Sequence, residues 1–456
     1  MSALAEHAER NLDPQVVARL RDQISEAGVE TIYYQFVSLN GRVLGKLAPA
    51  VHLERNLAKG VQFHGSAIAD LTTSRHGVLF GAGPEGEEFV ALPDPETFCV
   101  LPWDRTFGRF FCRLYRRGDR RELAGTPLPT DPRGALIDAH AAFRSATGLQ
   151  LKSGCEPEMT WLGPSVDVPT RPNSSTAYNL SALETVRPVV SRVLAYAGAM
   201  GFDMIEGDYE DSGQIELNFQ FDDCVLTSDR LTTYRQICAQ VARELGVTAT
   251  FMPKPVVGLM ANACHHNLSL WRGETNVFED PGVTELHLSQ TARHALGGVL
   301  AHAPGAMAVM ASTVNSYARF WDAGQFAPAL SNWGFDNRTC AVRVSGIGRL
   351  EFKLPDAAVN PYLSHTALLG MMRDGLERQL DPGEPQAGSV YDGAPGGELP
   401  RTLGDALAAF EGDALLQGAF PPELAALYAE YKRDEWERFC GAVTDWHREM
   451  YLGILP

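Results

Sequence analysis

The chain predicts a mixed helix-and-strand fold in two parts: a strand-rich N-terminal unit, then a larger unit in which helices alternate with strands. Three observations carry this. Through residue 113 the sequence reads largely as strands separated by turns rich in Gly, Pro and Asp. "ELAGTPLPTDPRG" (122–134) then concentrates Pro and Gly ahead of a clear helix and marks a boundary. Beyond it, helical patterns over 132–147, 183–200, 228–245 and 361–377 alternate with strand clusters at 150–162, 202–221, 248–270 and 338–354. The two units are drawn as 1–122 and 123–456.

Taken in order, "MSALAEHAERNLDPQ" is polar and helical, without the apolar core of a secretory signal. Residues 13–29 begin with Asp13 as a cap and Pro14 at the first helical position, and apolar residues follow at helical spacing. "TIYYQFVSLNGRVLGKLAP" (31–49) sets an Asn-Gly turn between two strands, a hairpin signal. "GGVLAHAPGAMAVMAS" (297–312) is the most apolar run. His302 and Pro304 interrupt it, so it reads as a buried helix or turn–helix and not as a membrane span. Residues 381–400 form a long loop and the remainder is helical.

A balance of 56 acidic against 39 basic residues, net −17, argues against a polyanion-binding surface and hence against nucleic acid as partner. "RLYRRGDRRE" (113–122) is the densest basic cluster and reads as a solvated or subunit-facing turn. Eight scattered cysteines, with no CxxC pair, fit reduced thiols in a soluble cytoplasmic enzyme with no membrane association.

The chemistry starts at "GCEPEMTW" (154–161). On a strand, Glu156 and Glu158 share a face, and adjacent carboxylates near a core oppose each other's ionisation. Two readings stand at this point: a cation between them, or the solvated face of an edge strand. Other strands repeat the pattern. "GDYEDSGQIELNF" (207–219) brings Glu210 and Glu216 with Asp208 nearby; "ACHHNLSLW" (263–271) points His265 and Asn267 to one face and His266 to the other; "GRLEFKLPD" (348–356) puts Glu351 and Lys353 on one face. Such oxygen-rich ligation with one imidazole favours two or three Mg²⁺ or Mn²⁺ ions over Zn²⁺. Arg319, Arg338, Arg343 and Arg349 flank these strands, and guanidinium suits carboxylate and phosphate. Without a P-loop or a convincing GxGxxG, the residues themselves say only a metal-dependent phosphoryl-transfer enzyme.

"GCEPEMTW", "EDSGQIELNF", "TATFMPKP…ACHHNLSLW", "NRTCAVRV" and "RLEFKLPDAAVNPYL" resemble, in order and spacing, the signatures of the glutamine synthetase superfamily, with "NGRVLGKLAP" and "FHGSAI" similar to its N-terminal motifs. The resemblance covers roughly residues 30–380. It implies an α+β fold: an N-terminal β-grasp domain, then a catalytic domain with a curved antiparallel sheet flanked by helices. It further implies a homo-oligomer of stacked rings, a dodecamer, with active sites between subunits. The implied chemistry is ATP-dependent: glutamate's γ-carboxylate is phosphorylated, then an amine attacks the acyl phosphate. Carried over, Glu158, Glu210 and Glu216 hold one metal, with Asp208 an alternative to Glu210, and Glu156, His265 and Glu351 hold the second. Arg338 and Arg343 stabilise the transferring phosphoryl group and Arg319 holds the α-carboxylate, while Phe221, Asn267, Ser269 and Arg349 fall at nucleotide positions.

Departures from the family bear on the substrate. His64 stands where glutamine synthetases carry the aspartate that binds and deprotonates ammonium, and Phe326, after a one-residue insertion, stands where they carry a glutamate. Losing two anions weakens a site for NH₄⁺. The run "DYEDSGQIELNFQFDDC" with "TATFMPKP" resembles glutamate–methylamine ligases and related γ-glutamyl-amine ligases, and the expected substrates are glutamate and a small organic amine. His64 has two readings, base or amine-pocket residue on one hand, turn packing on the other. Met260-Ala261 in the glutamate-binding loop and Lys353 in place of an arginine leave open an acid other than glutamate. The alternatives are an ordinary glutamine synthetase, a non-catalytic regulator and a hydrolase on the same fold.

Overall fold

The computed structural model describes residues 1–117, 123–163, 175–211, 213–321 and 326–454, with Asp392 described by its backbone alone. Residues 118–122 of the arginine cluster and domain boundary, Ser212 of "EDSGQIELNF" and the insertion ahead of Phe326 lie outside these.

The N-terminal unit opens with helices Ala3–Asn11 and Pro14–Ala27, the second capped by Asp13 and ended by Gly28 at φ 73°. Its sheet runs in the order Val43–Pro49, Thr31–Val37, Phe107–Arg116, Glu88–Pro93, Val61–His64. The Thr31–Val37 and Phe107–Arg116 strands are parallel, so the chain crosses over between them, as a β-grasp requires. The Asn-Gly hairpin forms as the turn chemistry predicts, pairing Val37 with Val43. The strand-like reading of this region misses the helix Leu53–Lys59, whose buried Leu53 and Leu57 are two of only a few apolar positions. Phe36, Phe63 and Phe89 pack against one another in the core, with ring centroids 4.9–5.7 Å apart.

The larger unit is built on a sheet ordered Trp333–Phe335, Val342–Val344, Leu350–Phe352, Cys264–Arg272, Gln150–Leu162, Gln214–Phe219, Met204–Asp211. Its neighbours are antiparallel except the first pair. Alternation gives each strand two characters. Cys155, Met159, Trp161, Ile215, Leu217 and Cys264 face a buried apolar layer against helices Arg187–Ala199 and Cys224–Leu245, and the polar set faces the opposite side. The register shifts between Met204 and Glu206, and again between Tyr209 and Asp211, are bulges that twist the edge strand.

The apolar run at 297–312 is the inner part of one helix, Gln290–Met310, and Pro304 lies within it. This helix crosses Pro361–Arg378 where Gly298 meets Gly375: a Cβ on Gly298 would sit 2.1 Å from the Met371 carbonyl oxygen, so only glycine allows the approach. The predicted 183–200 helix is two, Leu180–Thr185 and Arg187–Ala199, parted at Val186 ahead of Pro188. The 248–270 cluster holds a three-residue strand and the longer Cys264–Arg272, and the 338–354 cluster a pair of three-residue strands, with loops between. A buried ion pair ties the units together: Arg133 donates two hydrogen bonds of 2.9 Å to Asp229 and one of 3.1 Å to Asp94, and Tyr362 donates to Asp229 at 2.7 Å. No helix of the described residues is long and apolar enough to cross a membrane.

Candidate active site

Strand register assembles the acidic cluster. His265 lies opposite Glu156, Glu158 opposite Glu216, Glu216 opposite Asp208, and Glu351 opposite both Asn267 and Arg343. Six strands therefore deliver polar side chains to one cleft of about 360 Å³. His265 Nδ1 lies 3.2 Å from Glu156 and 3.7 Å from Glu351, and one ligand atom from each of the three falls within 4.8 Å of the others. His266 points the other way, buried against Ser364 and stacked on His365, as alternation requires.

Electrostatics in the cleft are those of crowded carboxylates. Burial, then Glu210, pushes the Glu158 carboxyl up to about 8. Burial and Asp208 push Glu210 up to about 7, and burial with Glu156 and Glu158 holds Glu216 well above its ordinary range. Glu156 is the exception: burial alone would raise it, but hydrogen bonds from His265 and Asn267 together with the Arg349 charge bring it down to about 2. The oxygens Asp208 Oδ1, Asn218 Oδ1 and Asn267 Oδ1 are buried without a hydrogen-bond partner among the described residues. Mutually repelling carboxylates beside unsatisfied acceptors are a donor set that fits hard divalent cations. Asp208 and Glu210, two residues apart on the edge strand, share a face and both line the cleft, so the sequence's choice between them is not forced.

The basic half is arranged around it. Arg343 donates to Glu351 at 2.9 Å and also pairs with Asp336. Arg319 is buried, donating to the carbonyls of Leu354 (3.1 Å) and Lys353 (2.9 Å). Buried Lys353 donates to the Phe326 carbonyl at 3.0 Å and to that of Arg338, and burial followed by the Arg319 charge lowers its pKa to about 8. Arg338 is exposed at the rim, and Ala261, Met260 and Phe326 line the same cleft. Phe326 sits at φ 57° with its side chain half exposed, a left-handed conformation that costs a non-glycine residue free energy.

A second cavity of about 300 Å³ adjoins the first and shares Glu156 and Arg349 with it. Phe221 and Trp271 stack across it at 6.0 Å, and Asn267 and Ser269 lie on its wall. His64 is not among the residues of this chain's own cleft. It ends the strand Val61–His64, where Nδ1 accepts from the Ser66 N–H at 3.2 Å and Nε2 donates to the Pro84 carbonyl at 3.3 Å. Tyr178, Asn218 and Glu206 line the cleft and escaped sequence reasoning; Tyr178 at φ 59° offered only an isolated aromatic in a loop.

A sheet that aligns carboxylates strand by strand beside the buried Arg319 and further arginines defines a ligase built on the glutamine synthetase catalytic fold. The chain belongs to the glutamine synthetase family: the model of its catalytic domain matches residues 129–451. Among curated relatives, glutamine synthetase of Rhizobium meliloti is 32% identical over 94% of this chain and 98% of its own. Glutamate–methylamine ligase of Methyloversatilis universalis is 31% identical over 94% of this chain and 97% of its own. A ligand-free structure of a protein called GmaS superposes with a TM-score of 0.85 at 34% identity, covering 95% of this chain and 99% of that one.

Proposed function

We propose that this chain is an ATP-dependent ligase that joins the γ-carboxyl group of glutamate to a small organic amine. The observation that carries the reading is Phe326: an aromatic ring, half exposed, lines the cleft where the family's ammonium-using members hold a carboxylate. A ring in place of an anion lowers the attraction for NH₄⁺ and supplies apolar contact for an alkyl substituent.

In this reading Glu158, Glu210 or Asp208, and Glu216 hold one Mg²⁺ or Mn²⁺, and Glu156, His265 and Glu351 the other. When bound, the ions screen the phosphates from the carboxylates and polarise the phosphoryl oxygens. ATP occupies the adjoining cavity, its base against Phe221 and its phosphates towards Arg349, with Asn267 and Ser269 on the wall. Arg319 and the Ala261 loop hold the acid's α-carboxylate, and Lys353 stands beside Arg319 as a further cation. The γ-carboxylate oxygen attacks the γ-phosphorus and ADP leaves, with Arg338 and Arg343 facing the charge that develops on the phosphoryl oxygens. The amine then attacks the acyl carbon and phosphate departs, while the amine's proton passes to a base.

His64 is proposed as that base, or as part of the amine pocket, in the cleft of a neighbouring subunit of a ring-shaped oligomer, since its own chain's cleft excludes it. Its Nδ1 lone pair is taken by the Ser66 N–H, so acting as a base requires that bond to open. The two units 1–122 and 123–456 divide this work, the first supplying His64 and the second the cleft.

The runner-up is glutamine synthetase proper, favoured by relatives of that name at comparable identity. A non-catalytic role is disfavoured by the intact carboxylate cluster, which costs stability and returns nothing without metal. The test is phosphate release from ATP with Mg²⁺ or Mn²⁺ and glutamate across ammonium, methylamine, ethylamine, ethanolamine, isopropylamine, polyamines and aniline, with product masses. Turnover with an organic amine well above ammonium supports the reading, and preference for ammonium overturns it.

A further inference from the structure

A cavity of about 680 Å³ lies outside the cleft, between the N-terminal loop bearing Arg42, the 251–253 segment and the helix Pro422–Cys440. It carries four basic residues, Arg42, Arg235, Lys432 and Arg438, against Asp434 and Glu435. Both acids are already satisfied. Asp434 accepts from the Arg75 N–H and from Arg438, each at 2.6 Å, and Glu435 accepts from the Val314 N–H and from Lys432, each at 3.0 Å.

The unsatisfied groups are therefore cationic. Arg42 is exposed and, among the described residues, its guanidinium reaches only Asp70, at 4.0 Å. Arg235 donates one hydrogen bond, 2.8 Å to the Ala357 carbonyl, and lies over the Phe251 ring. Its Nε is buried without a partner, and no described carboxylate stands within ion-pair distance. Burial lowers its pKa from the ordinary value, with Asp356 acting on it only from beyond contact. A desolvated guanidinium with unused donors, in a net-positive cavity of a chain carrying −17, is a setting that an anion relieves. Phe80, Phe251 and Tyr431 add apolar wall.

The same cavity touches the base of the loop that walls the cleft. Asn262 donates to the Met252 carbonyl through its side chain (2.8 Å) and to the Pro253 carbonyl through its backbone (2.7 Å), and it accepts from Gln214 at 2.7 Å. Gln214 in turn donates to Glu158 at 3.3 Å. Ala357, whose carbonyl Arg235 holds, donates its N–H to the Asn262 carbonyl at 3.1 Å.

We propose that this cavity binds a small organic anion, its charged group held by Arg235 and Arg42 and its body against Phe251 and Tyr431, and that the bound anion fixes the 251–263 segment. Binding here is independent of which amine the cleft uses, so its failure leaves the proposed reaction untouched. The experiment is calorimetric titration of the full chain with succinate and, separately, with inorganic phosphate, on the parent, Arg42→Ala and Arg235→Met, with amide hydrogen exchange followed over 251–263. Losing one charge-assisted contact weakens binding roughly tenfold or more. Tenfold weaker binding of either probe in both variants, with slowed exchange over 251–263 in the parent, supports the site, and the tighter probe tells a carboxylate from a phosphoryl ligand. Arg42 is exposed, so its alanine variant reads out even if Arg235→Met fails to fold. No saturable binding, or binding unchanged by Arg42→Ala, overturns the proposal.

Discussion

Glu158→Gln should make the metal-free protein more stable and weaken its response to metal. Glu158 is buried, and its pKa rises in the fold from an ordinary 4.5 to about 8 through burial first and the Glu210 charge second. Because the folded value lies above the unfolded one, the penalty for ionising it is absent below pH 4.5, builds as pH climbs, and is complete above about 8. Linkage puts it at roughly 3 kcal/mol near pH 7 and about 1 kcal/mol near pH 5. Glutamine keeps the shape and can still accept from the Ala263 N–H, which approaches Glu158 at 2.6 Å, so little packing is lost. In chelator, Glu158→Gln should therefore melt several degrees above the parent at pH 7, with the gap shrinking at pH 5. Adding Mn²⁺ or Mg²⁺ should raise the parent's melting temperature by more than the variant's, which keeps only the Glu156, His265 and Glu351 cluster intact. A variant that melts at or below the parent in chelator at pH 7, or a gap that ignores pH, would refute the reasoning.

Metal affinity should fall as pH drops from about 8 to about 6, because Glu158 and Glu210, titrating at about 8 and about 7, and Glu216, raised as well, must release protons to bind; calorimetry at pH 7 in buffers of different ionisation enthalpy should find more than about one proton released per site. Phe326→Glu combined with His64→Asp should move the ratio of kcat/KM for ammonium over the best organic amine by roughly tenfold or more towards ammonium, a shift of at least ~1.4 kcal/mol, and an unchanged ratio would separate these residues from amine choice. Arg133→Met strands Asp229 in the interior with Tyr362 as its remaining close donor, and should cost about 3–5 kcal/mol in denaturant unfolding, far above a surface substitution.

What could be read from the chain and what could not divide along physical lines. Period-two alternation is local, so Glu156 and Glu158, His265 against His266, and Glu351 with Lys353 declare their faces before any fold is known. Caps and turns are local too, and Asp13, Pro14 and the Asn-Gly hairpin formed where their chemistry places them. Register is not local. That His265 lies opposite Glu156 and Glu158 opposite Glu216 follows from the pairing of strands far apart in the chain. That the edge strand turns the face carrying both Asp208 and Glu210 to the cleft, where the sequence offered a choice, is likewise a matter of pairing. Tyr178 and Asn218 are ordinary residues in ordinary contexts and become cleft residues only through tertiary placement. So does Arg235, which reads in sequence as one more helical arginine and acquires its unsatisfied donors only when Phe251 and Ala357 close over it. The sequence by itself determined which residue types could meet a cation, a phosphate or an amine. Tertiary structure decided which of them meet, because desolvation and charge repulsion depend on distances that only the packed sheet sets.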